Sequence, residues 1–402
     1  DTMYHIRGGS ELSPSCNLAI GRPYRDNTGN IVSASSCITD TATSSNSNGE
    51  TMSWSTPSSL LGVTNEEKSE QQKRTYLTTT PNSKKKEDAK KKTKEYIQRL
   101  EELGEDWTDR ALGEHASIAS FASFTIELMS NGAPPDLIDS SLTAAQDELR
   151  HAKISFEIAS ELHTLLQSTT ADNDDDQDHD AALVRVEPTV LPPSNLQFEN
   201  NLTRLALGTA QEGCIDETFS AIEMAMNYDK FHASETDEGD HDENNVKMMR
   251  RIMEITRTIA LEEGNHSALA WRTIQWVCDH NNNNSDNACQ SIQNELLHPT
   301  KLLEVGQKRF SSSFEAQQIW NCIWTSLLSE VVRDGDKQKL LLVEGLERAN
   351  NDVDTAALCS DDIVIDGGTG GDMGNKTAKL STLLANKIIS QVKAASKTTS
   401  LV

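Results

Sequence analysis

The chain has 402 residues, with 37 basic against 62 acidic side chains and a net charge of −25. That balance excludes a general affinity for nucleic acid or an anionic membrane surface. The hydrophobic share of 36% is low for a fully globular chain, so a compact middle between polar, partly disordered ends is expected.

Residues 1–83 are rich in Ser, Thr, Asn and Gly and lack a sustained helical period, as a low-complexity extension does. Near Gly21-Arg22-Pro23, a short β-hairpin is expected from Tyr24 to Ala34, turning at Asp26-Asn27-Thr28-Gly29. Ile38–Ser83 reads as linker. Lys84 to Lys94 is a basic run that passes through Glu95 and Tyr96 to the acidic pair Glu101-Glu102. Residues 84–104 therefore read as a charged helix or linker whose Lys and Glu face water, in preference to a docking patch.

From 105 to 280 the pattern changes. Ala111, Ile118, Phe121, Phe124, Ile126 and Leu128 recur at helical spacing between Thr108 and Met129, Asn131-Gly132 stops that helix, and Pro134-Pro135 opens the next. The second helix is expected from about 135 to 166, the third from 200 to 228 and the fourth from 244 to 279, with Asn281–Asn284 ending the series. Asp172–Asp180 is an acidic loop without the glycine turn and terminal glutamate of a calcium-binding loop. In 281–402, accessory helices are expected at 315–332, 337–349 and 380–395, the last after a Gly-rich linker, within a flexible tail.

Seven cysteines are widely scattered with no zinc-finger spacing, which argues against both a zinc module and a disulfide framework; only Cys16 and Cys37 read as a pair. No apolar run approaches the roughly 18 residues of a membrane span, so a soluble, intracellular chain is expected. The chain opens on Asp1, as after loss of a leader or an N-terminal piece, and shows no legible targeting signal.

Chemistry is concentrated in two Glu-x-x-His motifs. The second helix carries Asp147-Glu148-Leu149-Arg150-His151 and the fourth Glu262-Glu263-Gly264-Asn265-His266. Residues i and i+3 share one helix face, so carboxylate and imidazole can grip one ion. One such tetrapeptide arises easily by chance, but both sit among small and apolar residues, where an unpaired carboxylate is costly. Each motif is preceded by a helix with a glutamate early in its apolar stripe, Glu114 and Glu212. Setting Glu114 on Glu212 places Phe121 on Phe219 and Leu128 on Met226; setting Glu148 on Glu263 places His151 on His266. The spacing differs, 148 − 114 being 34 and 263 − 212 being 51, with the extra length in the polar stretch after Tyr228.

This pattern predicts an all-α fold: an antiparallel four-helix bundle of the ferritin-like kind with Glu114, Glu148, His151, Glu212, Glu263 and His266 as metal ligands. Glu148 and Glu263 are expected to bridge two ions, with Glu114 and Glu212 terminal. Glu217 competes with Glu212, and Glu127 with Glu114. His115 points about 100° off the ligand face and reads as an ordinary histidine, and Cys214 as a small core residue. Asp147 and Glu262 are the expected partners of the ligand imidazoles. Carboxylate and imidazole donors suit two iron ions, or manganese.

Asp147-Glu148-Leu149-Arg150-His151 resembles the Asp-Glu-x-Arg-His motif of di-iron oxygenases. Gly113-Glu114-His115-Ala116-Ser117-Ile118-Ala119-Ser120-Phe121, Gly132-Ala133-Pro134-Pro135-Asp136-Leu137, Glu212-Gly213-Cys214 and Ala270-Trp271-Arg272 resemble an uncharacterised bacterial ferritin-like family over residues 107–280. The resemblance implies a dimetal bundle and brings no substrate. Asn265 and Gly264 depart from the first motif, and Gly264 weakens its helix by about 1 kcal/mol relative to alanine, so a more loosely held second ion is expected. Ser155 and Ala270 stand where a radical-storing reductase would have tyrosine. The expected activity is an oxidoreductase acting on dioxygen or peroxide, supplied by an electron-donor protein, with Phe121, Phe124, Phe156 and Phe219 lining its pocket. Iron handling of the ferroxidase or storage kind, or a helical module with a vestigial site, are the rival readings.

Overall fold

A computed structural model of the chain describes residues 36–39, 83–170, 183–186, 201–234, 243–279, 283–331 and 379–399. Among these residues the fold is all-helical apart from one short strand pair. The elements are β1 (Ser36–Thr39), α1 (Ser83–Ser130), α2 (Pro135–Thr170), β2 (Leu183–Val186), α3 (Leu202–Gly208), a π-helical segment (Thr209–Glu217), α4 (Thr218–Ser234), α5 (Glu243–Asp279), α6 (Asn283–Glu295), α7 (Pro299–Arg309), α8 (Phe314–Val331) and α9 (Leu380–Thr399). The basic run is no separate linker but the first turns of α1, which continues unbroken to Ser130.

The stop after α1 follows from its residues. Gly132 takes φ 71°, Ala133 N–H donates to the Leu128 carbonyl at 3.0 Å and Gly132 N–H to that of Met129 at 3.2 Å. This is the left-handed cap in which two orphan carbonyls are satisfied. Pro135, whose missing N–H costs nothing at a helix start, opens α2.

The hairpin expected at 24–34 and the helix expected at 337–349 lie outside the described residues. β1 instead pairs antiparallel with β2, Ser36 opposite Val186 and Thr39 opposite Leu183. α6 and α7 were not anticipated. In α6 only Ala288, Cys289 and Ile292 are buried among the residues placed, too thin a stripe to stand out in Asn- and Ser-rich sequence. α7 begins at Pro299 after His298, whose side chain accepts from Thr300 N–H.

The chain divides into two compact units. The first comprises Asp1–Ser120, Gln146–Ser194 and Asp240–Ile252. Its core is built from Leu100, Trp107 and Ala111 of α1, Phe156 and Leu162 of α2, and Met248 and Ile252 of α5. Thr108 Oγ1 donates to the Gly104 carbonyl and lies 3.3 Å from His163 Nε2.

The second unit comprises Phe121–Ala145, Asn195–Gly239 and Met253–Val402. Phe219 packs against Phe310 and Trp320 with ring centroids 5.1 and 4.4 Å apart, and Trp320 Nε1–H donates to the Leu302 carbonyl. Cys278 at the end of α5 and Cys289 in α6 form a disulfide with Cα atoms 5.1 Å apart. This corrects the expectation from scattered cysteines: two consecutive helices bring together residues that no motif marks as partners. Cys16 lies outside the described residues. Among the described residues no helix is long and apolar enough to cross a membrane.

Candidate metal centre

In the first unit, α1 supplies Glu114 and α2 supplies Glu148 and His151. Each offers a ligand atom, and these atoms lie within 4.8 Å of one another. All three side chains are 0% exposed. Glu114 lies on the buried stripe Ala111, Ser117, Phe121, Phe124, Leu128 of α1, and so is carried inward by the periodicity that buries its neighbours. His151 Nδ1 stands 3.9 Å from Glu114 Oε2. Arg110, one turn earlier, brings its guanidinium to 3.5 Å from Glu114 Oε1. On the outer side of the same motif, Arg150 pairs with Asp147 at 2.8 Å, and Leu149 is 48% exposed.

In the second unit the group is Glu217, Glu263 and His266, again with ligand atoms within 4.8 Å of one another. Glu217 and Glu263 are 0% exposed and His266 2%. His266 Nδ1 lies 3.5 Å from Glu263 Oε2. The Phe121 ring stands edge-on to the His266 imidazole, centroids 5.0 Å apart, which limits the orientations the ring can take. Beside this group, Thr218 Oγ1 and Ser267 Oγ share a buried hydrogen bond of 2.6 Å. Thr218 follows Glu217 and Ser267 follows His266, so this bond ties the two helices that carry the group in register. A Cβ on Gly213 would fall 2.3 Å from that of Ala270, so the helices meet almost backbone to backbone there.

Five of the expected ligands, Glu114, Glu148, His151, Glu263 and His266, belong to these groups. Glu212 belongs to neither and is only half-buried; Glu217 stands there instead. The physical reason is the π-helical segment Thr209–Glu217. Its i→i+5 bonding widens the turns that carry both glutamates, and Glu217, not Glu212, falls among its buried residues. A signal was present. Ala210, Cys214, Glu217, Ala221 and Met224 alternate at spacings of three and four and are all buried, and Glu212 lies off that stripe. Glu127, the rival of Glu114, pairs with Arg204 at 3.0 Å on the surface side of α1. His115 is half-buried, and burial lowers its pKa.

The four aromatics expected to line a pocket are all buried. Phe121 touches His266, whereas Phe219 belongs to the Phe310–Trp320 cluster. No sequence motif marks Arg110 or the Thr218–Ser267 bond.

Two carboxylates with one imidazole, all removed from water, form a donor set with excess negative charge. Burying such charge without a positive partner costs several kcal/mol per ion. A divalent cation offsets that cost directly, and mixed carboxylate and imidazole donors suit iron or manganese better than structural zinc, which favours cysteine. Cys214, a buried cysteine, is in neither group. The residues present therefore fit a metal. No family model, curated protein or solved structure matches this chain.

Proposed function

We propose that this chain is a ferritin-like dinuclear metal protein, in which α1, α2, the continuous helix from α3 to α4, and α5 form an antiparallel four-helix bundle that holds two ions, iron above all. The reading is carried by one observation. Each unit holds one buried group of two glutamates and a histidine whose ligand atoms lie within 4.8 Å of one another, Glu114, Glu148 and His151 in the first and Glu217, Glu263 and His266 in the second. The same donor set thus occurs twice, as a dinuclear protein requires. Glu114, Glu148 and His151 would hold one ion, Glu217, Glu263 and His266 the other. A glutamate from each of two helices with Glu-x-x-His from each of two others is the donor set of the dinuclear carboxylate bundles.

Bound iron would supply the electron transfer and the activation of dioxygen or peroxide that make the protein an oxidoreductase. The chain's own residues hold, orient and shield. Burial of all the donors keeps bulk water away from them, and Phe121 fixes the plane of His266. Arg110, 3.5 Å from Glu114, places a positive charge against a terminal ligand. Electrons would come from a donor protein.

Elemental analysis of protein purified from its own host, followed by anaerobic ferrous loading and exposure to oxygen, tests the reading. Two irons per chain and an oxygen-dependent absorption band are expected. Accumulation of hundreds of irons would replace catalysis with storage, and absence of bound metal would leave a helical scaffold.

A further inference from the structure

The two Glu-x-x-His motifs differ on their outer faces. In the first, Leu149 and Arg150 are exposed. In the second, the corresponding positions are Gly264 and Asn265, and both lie against α9. A Cβ on Gly264 would meet Leu384 Cδ1 at 2.5 Å and Ile388 Cγ1 at 3.6 Å. Gln391 Nε2 donates to Asn265 Oδ1 at 3.0 Å, and Lys387 Nζ donates to the Leu261 carbonyl at 3.0 Å. Burial lowers the Lys387 ammonium below the usual lysine value, and Glu262 pulls it back up. Thus α9 touches Leu261, Gly264 and Asn265, residues interleaved with the ligands Glu263 and His266, and faces the charge of Glu262.

The seat is built. Leu380, Leu384, Ala385, Ile388, Ile389 and Val392 are all buried. Asp229 of α4 caps the start of α9, accepting from Leu380 N–H at 2.8 Å, Ser381 N–H at 3.0 Å and Ser381 Oγ–H at 2.6 Å. Gly264 is therefore a notch for Leu384, and the glycine and asparagine that set the second motif apart are the two positions α9 uses.

We propose that α9 is a positioning element of the second half of the metal centre, so that seating of α9 and binding of the ion at Glu217, Glu263 and His266 are coupled. The inference rests on the dinuclear reading above. α9 presses on the helix face opposite the ligands and fixes the turn from Glu262 to His266, where glycine would otherwise leave the backbone loose. Coupling of this kind is reciprocal: the ion must hold α9 as firmly as α9 holds the ion.

Anaerobic Fe(II) titration of the full-length chain tests this, with Leu384→Asp and Lys387→Met to disturb the seat, Asp229→Ala to uncap α9 without touching its apolar face, and Leu384→Met as the conservative control. The unsubstituted chain is expected to take two ions. The disturbed variants should weaken the second ion by about tenfold or more and the first by less, while Leu384→Met behaves as the unsubstituted chain. Amide exchange over 380–399 should slow when Fe(II) is added. If Leu384→Asp fails to fold, Asp229→Ala decides. Equal loss of both ions, or no loss of either, in Asp229→Ala and Lys387→Met would overturn the proposal while leaving the dinuclear reading standing. An unsubstituted chain that binds no iron would remove both.

Discussion

The carboxylates of Glu114, Glu148, Glu217 and Glu263 are each fully withheld from water, and a charge in that position must be compensated. If metal provides the compensation, Glu148→Ala and His266→Ala should each lower the metal content while leaving the far-ultraviolet helical signal largely intact. Glu217→Ala should do the same and Glu212→Ala should not; elemental analysis of the four variants decides, and the reverse outcome would restore Glu212 as the ligand. Ser267 makes a smaller and separable contribution. Its hydroxyl bonds Thr218, which also donates to the Cys214 carbonyl, so Thr218 keeps a partner in Ser267→Ala. A loss of about 1 kcal/mol in denaturant unfolding is expected, with no change if the 2.6 Å contact is not a true hydrogen bond.

At the scale of the element, the helices were legible where their residues carry local signals. Asn131-Gly132 and Pro134-Pro135 mark one boundary, and the starts of α2 and α5 fall within a residue or two of expectation because apolar period and polar interruptions coincide there. α1 begins earlier than its apolar stripe because lysine is a good helix former and needs no buried face. The π-helical segment was invisible, since no residue in Thr209–Glu217 announces an inserted position. Gly264 shows how context reverses a propensity. In an isolated helix Gly264→Ala should stabilise by about 1 kcal/mol, but here the new methyl meets Leu384 at 2.5 Å. We expect a net loss of about 1 kcal/mol or more from overpacking, read as a lowered midpoint in chemical denaturation. A stabilised variant would mean that α9 does not sit on this turn.

Across the whole molecule, pH and metal should act on stability in ways that can be separated. Burial lowers the imidazoles of His163 and His115 below the ordinary value of 6.5. Below that value the unfolded chain binds protons that the folded chain refuses, so stability is retained above it and falls as pH drops through it. In metal-free protein the melting temperature should therefore fall between about pH 7 and about pH 5, and His163→Gln should flatten that slope. A slope unchanged by the substitution would assign the effect elsewhere. Burial raises the carboxyls of Glu105, Asp106 and Asp109, a cost that is fully present at the neutral end and is relieved as pH falls through their raised values, opposite in sign to the histidines. Saturating the proposed centre at about a hundred times its dissociation constant adds about 2.7 kcal/mol per site. A rise of several degrees in melting temperature on Fe(II) addition, reversed by a chelator, is the corresponding measurement.

By itself the sequence determined that long helices form, where several of them stop, and that two Glu-x-x-His motifs lie on faces poor in charge. These are local properties, written in residues three and four apart, and they survive without knowledge of any distant neighbour. Tertiary structure alone decided that Cys278 bonds Cys289 and that α9 fills the notch at Gly264. Each depends on a backbone register or on contacts between separate helices. Helical period says which side of a helix is apolar, but the partner that covers it is chosen by packing and by the cost of leaving polar atoms unsatisfied.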